Sequence, residues 1–450
     1  MQIGFFGATR QVPGSCYLIK TGDKQILIDC GYYQGGGICD MRNYDEFGFD
    51  PKQVDVLLVT HAHLDHVGRI PRLFNQGGKP QIYSTGPTKE LGQINLEDAH
   101  HIMLIHAEEC HLDELYGEKD LEAAYKRWQT VTYRSSFEIV EGVTATFYDT
   151  GHILGSSFVV LELEGKRIAF SGDVGSTITP LLHDTEALPT NLDVLVCEST
   201  YGDRLHPERE ERKEQLRAEI LRNHKQNGVL MIPAFSIERT QEILFEMNEL
   251  IEHDGLNPGQ VFLDSPLAIT AIAVFQKYSQ DTEMMQFDVP DGFTDNNFFA
   301  FKELHVTDTV DASKQINQVP NPKVIIAGSG MMNAGRIQHH LVRYLDDANN
   351  TLLVTGYQAP GTLGNDIAEG KSPVHIFDYT VPVRARVIKI ESYSGHADYN
   401  KLGNWVSAAQ PKNVQLVHGD VKAQKAFKAY LATKGVENVE MPEFGTWLTV

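Results

Sequence analysis

No stretch of this chain approaches the ~18 uninterrupted apolar residues that a membrane-spanning helix needs. The opening segment MQIGFFGATRQVPGSCYLIK also lacks the apolar core of a secretory signal, so neither a leader nor a span is expected. Basic residues are in short supply: 39 Lys and Arg stand against 60 Asp and Glu, for a net charge of −21. A general cationic coat for nucleic acid is thereby excluded, and any phosphate must be held by a local basic patch or by metal. Cysteine is scarce. The five residues Cys16, Cys30, Cys39, Cys110 and Cys197 show no CxxC spacing, which suits reduced thiols in a cytoplasm better than a disulfide framework. Repeats and low-complexity linkers are absent. What remains is ordinary for a globular enzyme, with 42% hydrophobic and 22% charged residues over 450 positions. That length suits one to three domains.

Histidine is the exception. There are 18, and three of them sit in His61-Ala62-His63-Leu64-Asp65-His66. At that frequency, three histidines at fixed spacing arise by chance roughly 0.03 times per chain, and the Asp lowers this to roughly 0.002. Chance is a poor explanation, and so is a loop of unrelated surface histidines. Imidazole and carboxylate are suitable zinc ligands, and a single turn carrying all of them pre-forms a site. The apolar run VDVLLVT (54–60) precedes the motif, and Val67, Ile70 and Leu73 follow at helical spacing, which puts the cluster on a strand-to-helix loop.

Three further post-strand loops offer a ligand each: His152 in DTGHILGS, Asp173 in FSGDVG and His418 in LVHGD. Singly, each reads as a structural residue. Together with the first motif they supply more N and O donors than one tetrahedral zinc accepts, and they suit two metals bridged by a carboxylate. Such a pair lowers the pKa of a bound water and neutralises a phosphoryl oxygen.

Short strands dominate the first two hundred residues. Beyond Pro207 the texture changes: the charged helix EREERKEQLRAEILRNHK turns Leu216 and Ile220 inward, then GVLMIPAF, QVFLDS, KVIIAGS and TLLVTGY alternate with helices. That alternation predicts a parallel α/β sheet with covered faces. β-character returns after about residue 371. The expected organisation is a first domain (1–206) interrupted by an inserted α/β domain (207–371) and completed by 372–450.

These motifs resemble the metallo-β-lactamase superfamily. Glu198 in ESTYGD, His396 in YSGHAD and His418 in VHGD resemble the additional motifs of its β-CASP branch, which contains nucleic-acid-processing nucleases. The resemblance covers essentially the whole chain and includes SIERTQEIL, LDSPLA, AGSGMMNAGRIQHHL and GYQAPGTLGNDI in the insertion. It implies an αββα sandwich interrupted by a parallel α/β domain, and two Zn²⁺ ions. His61, His63 and His152 would bind one; Asp65, His66 and His418 the other; Asp173 would bridge. Asp29 in LIDCG would orient ligand histidines. Glu198 and His396 would form an acid pair, with Asp65 also in the catalytic set. The implied activity is a zinc-dependent ribonuclease, an endonuclease with possible 5′–3′ exonuclease activity, acting on single-stranded RNA. His418, where DNA-directed members tend to have Val, favours RNA. The chain is expected to be cytoplasmic and homodimeric.

Two departures from the family pattern, Pro360 and Asn365-Asp366, remove a candidate positive contact for RNA. Gly328-Ser329-Gly330 follows a strand and offers amides for a phosphate, with Arg336 as a partner, although a glycine-bearing turn is the simpler reading. His101, His106, Cys110 and His111 suggest a third metal, but an interrupted helix explains the same residues. Two other functions compete: a small-molecule hydrolase of thioesterase or lactonase type, which uses the same motif, and a non-catalytic RNA-processing subunit, a role taken by family members that have lost ligands. The insertion argues against the first, being far larger than a small-substrate pocket needs. The full ligand set argues against the second.

Overall fold

The computed structural model describes residues 1–35, 40–176, 179–206, 209–286, 297–356, 358–359 and 361–450; Cys39 and Pro360 lie outside the described residues. The chain divides into two compact units, Met1–Leu205 with His396–Val450, and His206–Gly395.

In the first unit, β1 (Gln2–Phe5), β2 (Tyr17–Thr21), β3 (Lys24–Ile28), β4 (Val56–Leu58), β5 (Gln81–Thr85) and β6 (Trp128–Val131) make one sheet. The second contains β7 (Phe137–Val140), β8 (Val143–Asp149), β9 (Ser157–Leu163), β10 (Lys166–Phe170) and β11 (Val194–Cys197). Between β11 and the end of the chain, the second unit contributes β12 (Val229–Pro233), β13 (Gln260–Asp264), β14 (Leu304–Val306), β15 (Lys323–Ala327), β16 (Thr351–Thr355), the hairpin β17 (Val374–Ile376) and β18 (Tyr379–Val381), and β19 (Arg386–Ile390). The first unit closes with β20 (Val414–Leu416) and β21 (Val439–Glu440), which extend the second sheet, and β22 (Trp447–Thr449), which flanks β1 in the first.

The two sheets of the first unit meet through apolar side chains such as Tyr17 and Phe170, stacked at 6.1 Å. Helices cover the outer faces. Leu73, Leu96, Met103 and Leu121 close over the first sheet, and Leu402, Val406, Phe427 and Leu431 over the second, each in a buried apolar cluster. This is the expected αββα sandwich. Pairing is parallel for β3–β4–β5 and for β10–β11–β20. The loops leaving the C-terminal ends of β3, β4, β10, β11 and β20 carry Asp29, His61, Asp173, Glu198 and His418.

The second unit is the expected parallel sheet, in the order β14-β13-β15-β12-β16-β19. Leu216 and Ile220 of the helix Arg209–Gln226 are fully buried, as the charge pattern predicts. β19 pairs in parallel with β16. The compact inserted unit therefore runs to Gly395, past the boundary expected at residue 371. The alternating sequence VPVRARVIKI reads as a strand in either location, and only its partner decides.

Cys16, Cys30 and Cys197 are free and buried. Among the described residues no helix is long and apolar enough to cross a membrane.

Candidate metal centre

The main chain at the sheet ends packs too closely for side chains. A Cβ at Gly31 would sit 1.6 Å from the Asp65 carbonyl oxygen, and one at Gly175 would sit 2.0 Å from that of Gly151. Only glycine permits these approaches, and they draw the His61–His66 loop towards β3 and the Asp173 loop towards His152. His63 caps the helix Leu64–Val67, which presents Asp65 and His66 in its only turn. His418 adopts a left-handed backbone, φ +46°, with its N–H donating to the Ala8 carbonyl at 2.7 Å. Non-glycine residues rarely take that conformation, and they concentrate where a side chain must be aimed.

The aimed groups converge. His63 Nδ1 lies 3.2 Å from His61 Nε2 and 3.2 Å from His152 Nε2. Asp173 Oδ2 stands 3.3 Å from His61 Nε2 and 3.4 Å from His152 Nε2. A tetrahedral ion with N and O bonds of about 2.0–2.1 Å requires ligand-to-ligand edges of ~3.3 Å, so these four atoms match such a shell. On the other side, Asp173 Oδ1 lies 3.4 Å from His66 Nε2 and 3.3 Å from His418 Nδ1, while His418 Nε2 is 3.2 Å from Asp65 Oδ2. His61, His63, His152 and Asp173 form one group able to hold a metal; Asp65, His66 and His418 form another; Asp173, Glu198, His396 and His418 form a third, overlapping one.

Electrostatics agree with a cation. Asp173 Oδ1 is buried and accepts no hydrogen bond, a costly state for a carboxylate oxygen unless a cation faces it. Burial alone would raise the Asp173 pKa, but His418, His66 and His61 pull it well below the carboxylate range. Asp65 is likewise held down, to about 2, where hydrogen bonding from His418 and the charge of His66 outweigh burial. Burial and neighbouring imidazoles keep His61 and His63 neutral, the form that ligates metal. At His66 the Asp173 and Asp29 carboxylates overcome burial and push the pKa well up, so that side of the cluster favours positive charge. Nitrogen and carboxylate donors without thiolate suit a borderline or hard divalent ion.

A supporting ring of hydrogen bonds sets the ligand orientations. Asp29 accepts from the N–H and the hydroxyl of Thr60, both at 2.8 Å, and sits 2.7 Å from His66 Nδ1. Thr60 Oγ1 in turn lies 3.1 Å from His61 Nδ1, Ser15 Oγ 3.3 Å from His66 Nε2, and Thr200 Oγ1 3.0 Å from His418 Nδ1. Thr60, Ser15 and Thr200 were not singled out from the sequence. Thr200 lies inside the ESTYGD motif, and Thr60 directly precedes the HAHLDH motif, which was the available signal.

Glu198 is fully buried, its Oε1 accepting from the Val174 N–H at 2.7 Å and lying 3.3 Å from His396 Nδ1. Burial opposes a charge on His396, but Glu198 and then Asp173 outweigh it and push its pKa up to about 9, while Glu198 is held low in return. That direction favours an imidazolium at His396, beside the His and Asp cluster.

The remaining sequence candidates occupy the second unit. Arg336 gives its guanidinium to Asp264 Oδ1 at 2.7 Å and to the carbonyls of Thr307 and Asp308 at 2.8 and 2.9 Å. The Ser329 N–H donates to the Ala334 carbonyl at 3.2 Å, and Gly330 is buried against the Phe235 ring. These contacts are internal to the unit. Asn365 and Asp366 fall in the short helix Leu363–Ala368, where Asp366 pairs with Lys371 at 2.6 Å. Cys110 ends the helix Gly86–Cys110, and among the described residues His101, His106, Cys110 and His111 belong to no group able to hold a metal.

A family model described as the metallo-beta-lactamase superfamily matches residues 9–222, one described as the Beta-Casp domain matches 240–367, and one described as the Zn-dependent metallo-hydrolase RNA specificity domain matches 380–442. Ribonuclease TTHA0252 of Thermus thermophilus is 39% identical over 100% of both chains. The RNase J-like protein of Methanocaldococcus jannaschii is 33% identical over 92% of each. Endoribonuclease YSH1 of Yarrowia lipolytica is 32% identical over 96% of this chain, which spans only 52% of that protein. A crystal structure of an Enterococcus faecalis protein of unknown function shares the fold, with a TM-score of 0.53 at 12% identity over 100% of this chain and 99% of that one. Family models along the chain and a full-length relative thus agree with the His and Asp cluster built at the sheet ends: the chain belongs to the metallo-β-lactamase superfamily, in its β-CASP branch.

Proposed function

We propose that this chain is a metal-dependent ribonuclease, hydrolysing phosphodiester bonds of single-stranded RNA at a centre for two zinc ions. The observation that carries the reading is the Asp173 carboxylate, whose Oδ2 faces His61 and His152 at 3.3 and 3.4 Å and whose Oδ1 faces His66 and His418 at 3.4 and 3.3 Å. One side chain placed between two donor sets is what a bridged pair of cations requires. In this reading His61, His63 and His152 hold one ion, Asp65, His66 and His418 the other, and Asp29 orients His66 and Thr60. When bound, such a pair lowers the pKa of a water and neutralises charge on the phosphoryl oxygens. RNA as substrate is supported by the relatives named as ribonucleases and by the RNA specificity domain over residues 380–442.

The chain's own groups account for the other half of the reaction. His396, kept protonated by Glu198, donates to the leaving 3′ oxygen as the P–O bond breaks. Glu198 fixes the ring through Nδ1, so Nε2 carries the transferable proton. A homodimeric state and a cytoplasmic location complete the proposal.

Incubation with 5′-labelled and 3′-labelled RNA and DNA, with and without chelator, tests it. Internal cuts in RNA that disappear on chelation and return with zinc are expected. Cleavage of a thioester or lactone, with RNA left intact, would refute the reading in favour of a small-molecule hydrolase.

A further inference from the structure

An aromatic cluster breaks the surface of the first unit. Phe444 is 58% exposed and Trp447 37%, although both flank the buried Phe6 ring, at 6.2 and 5.4 Å. Lys20 Nζ lies over the Trp447 ring at 4.6 Å.

Main-chain bonds tie this cluster to the metal centre. The Phe5 N–H donates to the Thr446 carbonyl at 3.1 Å and the Gly445 N–H to that of Phe5 at 2.7 Å, seating the Phe444 segment beside β1. β1 runs on into the loop around Arg10. The carbonyls of Ala8 and Gln11 accept from the N–H groups of His418 and Gly419 at 2.7 and 3.1 Å. Arg10 lies between those two anchors, at most about 7 Å along the chain from Ala8. Its side chain, 43% exposed, reaches Glu443 at 2.6 Å and the Met441 carbonyl at 3.3 Å. Arg42 donates to Gln11 Oε1 at 2.8 Å and is itself paired with Asp40 through Nε at 2.8 Å.

We propose that Phe444 and Arg10 form an RNA subsite flanking the scissile phosphate, with Phe444 stacking on a nucleobase and Arg10 holding a backbone phosphate. The proposal rests on the ribonuclease reading above. Stacking on an exposed ring tolerates any base, and an adjacent guanidinium supplies the charge that tracks the backbone. Exposed ion pairs such as Arg10–Glu443 are weak, so a phosphate can replace Glu443. In a chain with a net charge of −21, a guanidinium held beside the His418 turn is a local cation of the kind a polyanion requires. The alternative occupant is a second copy of this chain, pairing along the edge strand β22.

Steady-state kinetics on a fluorescent single-stranded RNA oligomer, with bis(p-nitrophenyl) phosphate as a diester lacking bases, tests the assignment. Phe444→Ala should raise the RNA KM by roughly 5- to 100-fold, far more than that for the small diester, and Phe444→Trp should restore it. Arg10→Ala should weaken RNA binding and reduce the slope of log affinity against log salt by about 0.7. If the wild-type chain cleaves RNA and both variants keep its KM and salt slope, the subsite is overturned. So it is if Phe444→Ala converts a dimer to a monomer in sedimentation while the RNA KM holds. A wild-type chain that neither binds nor cleaves RNA overturns the ribonuclease reading, and the subsite with it.

Discussion

Asp29 Oδ2 lies 2.7 Å from His66 Nδ1, and the same carboxylate takes both the N–H and the hydroxyl of Thr60 at 2.8 Å. One buried acid thus holds the His66 ring through Nδ1, with Nε2 directed at Asp173 Oδ1 at 3.4 Å, and fixes the residue preceding His61. Removing partners of this kind typically costs 10–100-fold in metal affinity. Asp29→Asn should therefore weaken metal binding by about that factor in competition with a chromophoric chelator, and excess metal should restore most of the activity. An unchanged affinity would show that the ligands are held without Asp29.

The proposed mechanism gives His396 and His418 different functions. His418→Ala should lower the metal content, and activity with it. His396→Ala should keep metal and RNA binding and lose cleavage by roughly 10²–10⁴-fold, the usual contribution of a general acid. An RNA with a better leaving group at the scissile oxygen should partly rescue His396→Ala and do little for His418→Ala. Loss of metal in His396→Ala would move it from acid to ligand, a possibility set by its 3.8 Å approach to Asp173 Oδ2.

In the proposed mechanism Glu198 works through His396, so Glu198→Gln should resemble His396→Ala and the double variant should be little worse than either single one. The pH profile carries a sign. Burial lowers the His396 pKa, and Glu198 reverses this. An acid must be protonated to act, so the rate falls on the alkaline side. Without the Glu198 charge that limb should move to lower pH in kcat profiles; an unmoved limb would detach Glu198 from His396.

How much of this was readable depended on distance along the chain. The HAHLDH ligands stand in one loop, and their chance probability marks them without any structure. Glu198 and His396 are 198 residues apart and became a pair only through resemblance. Thr60, Ser15 and Thr200 stayed hidden because hydroxyl residues occur in every loop, and their role exists only through the His rings beside them. β19 was misplaced because alternation predicts a strand but not its neighbour, and β16 turned out to be that neighbour. Ser329, Gly330 and Arg336 looked like a phosphate site from type and spacing. Their actual contacts lie inside the unit, with Arg336 held by an acid seventy-two positions earlier, a relationship that spacing does not express.

That acid, Asp264, gives the last prediction. It is fully buried and accepts from His340 Nε2, Thr307 Oγ1, Ser313 Oγ and Arg336 Nη1 at 2.7, 2.6, 2.7 and 2.7 Å. Burial alone would raise its pKa, but these bonds outweigh burial and hold it well below the carboxylate range. A depressed carboxylate contributes stability that is present above its unfolded pKa of about 3.9 and is lost as pH falls below that value. Thermal melts should therefore drop on acidification below about pH 4, and Asp264→Asn should flatten that dependence while lowering stability at neutral pH. Breaking a buried pair costs about 3–5 kcal/mol. Arg336 is 17% exposed, so Arg336→Ala should fall at the lower end of that range. RNA affinity should hold at temperatures where the variant is folded. A stable Arg336→Ala chain that binds RNA more weakly would instead return Arg336 to the role of a phosphate contact.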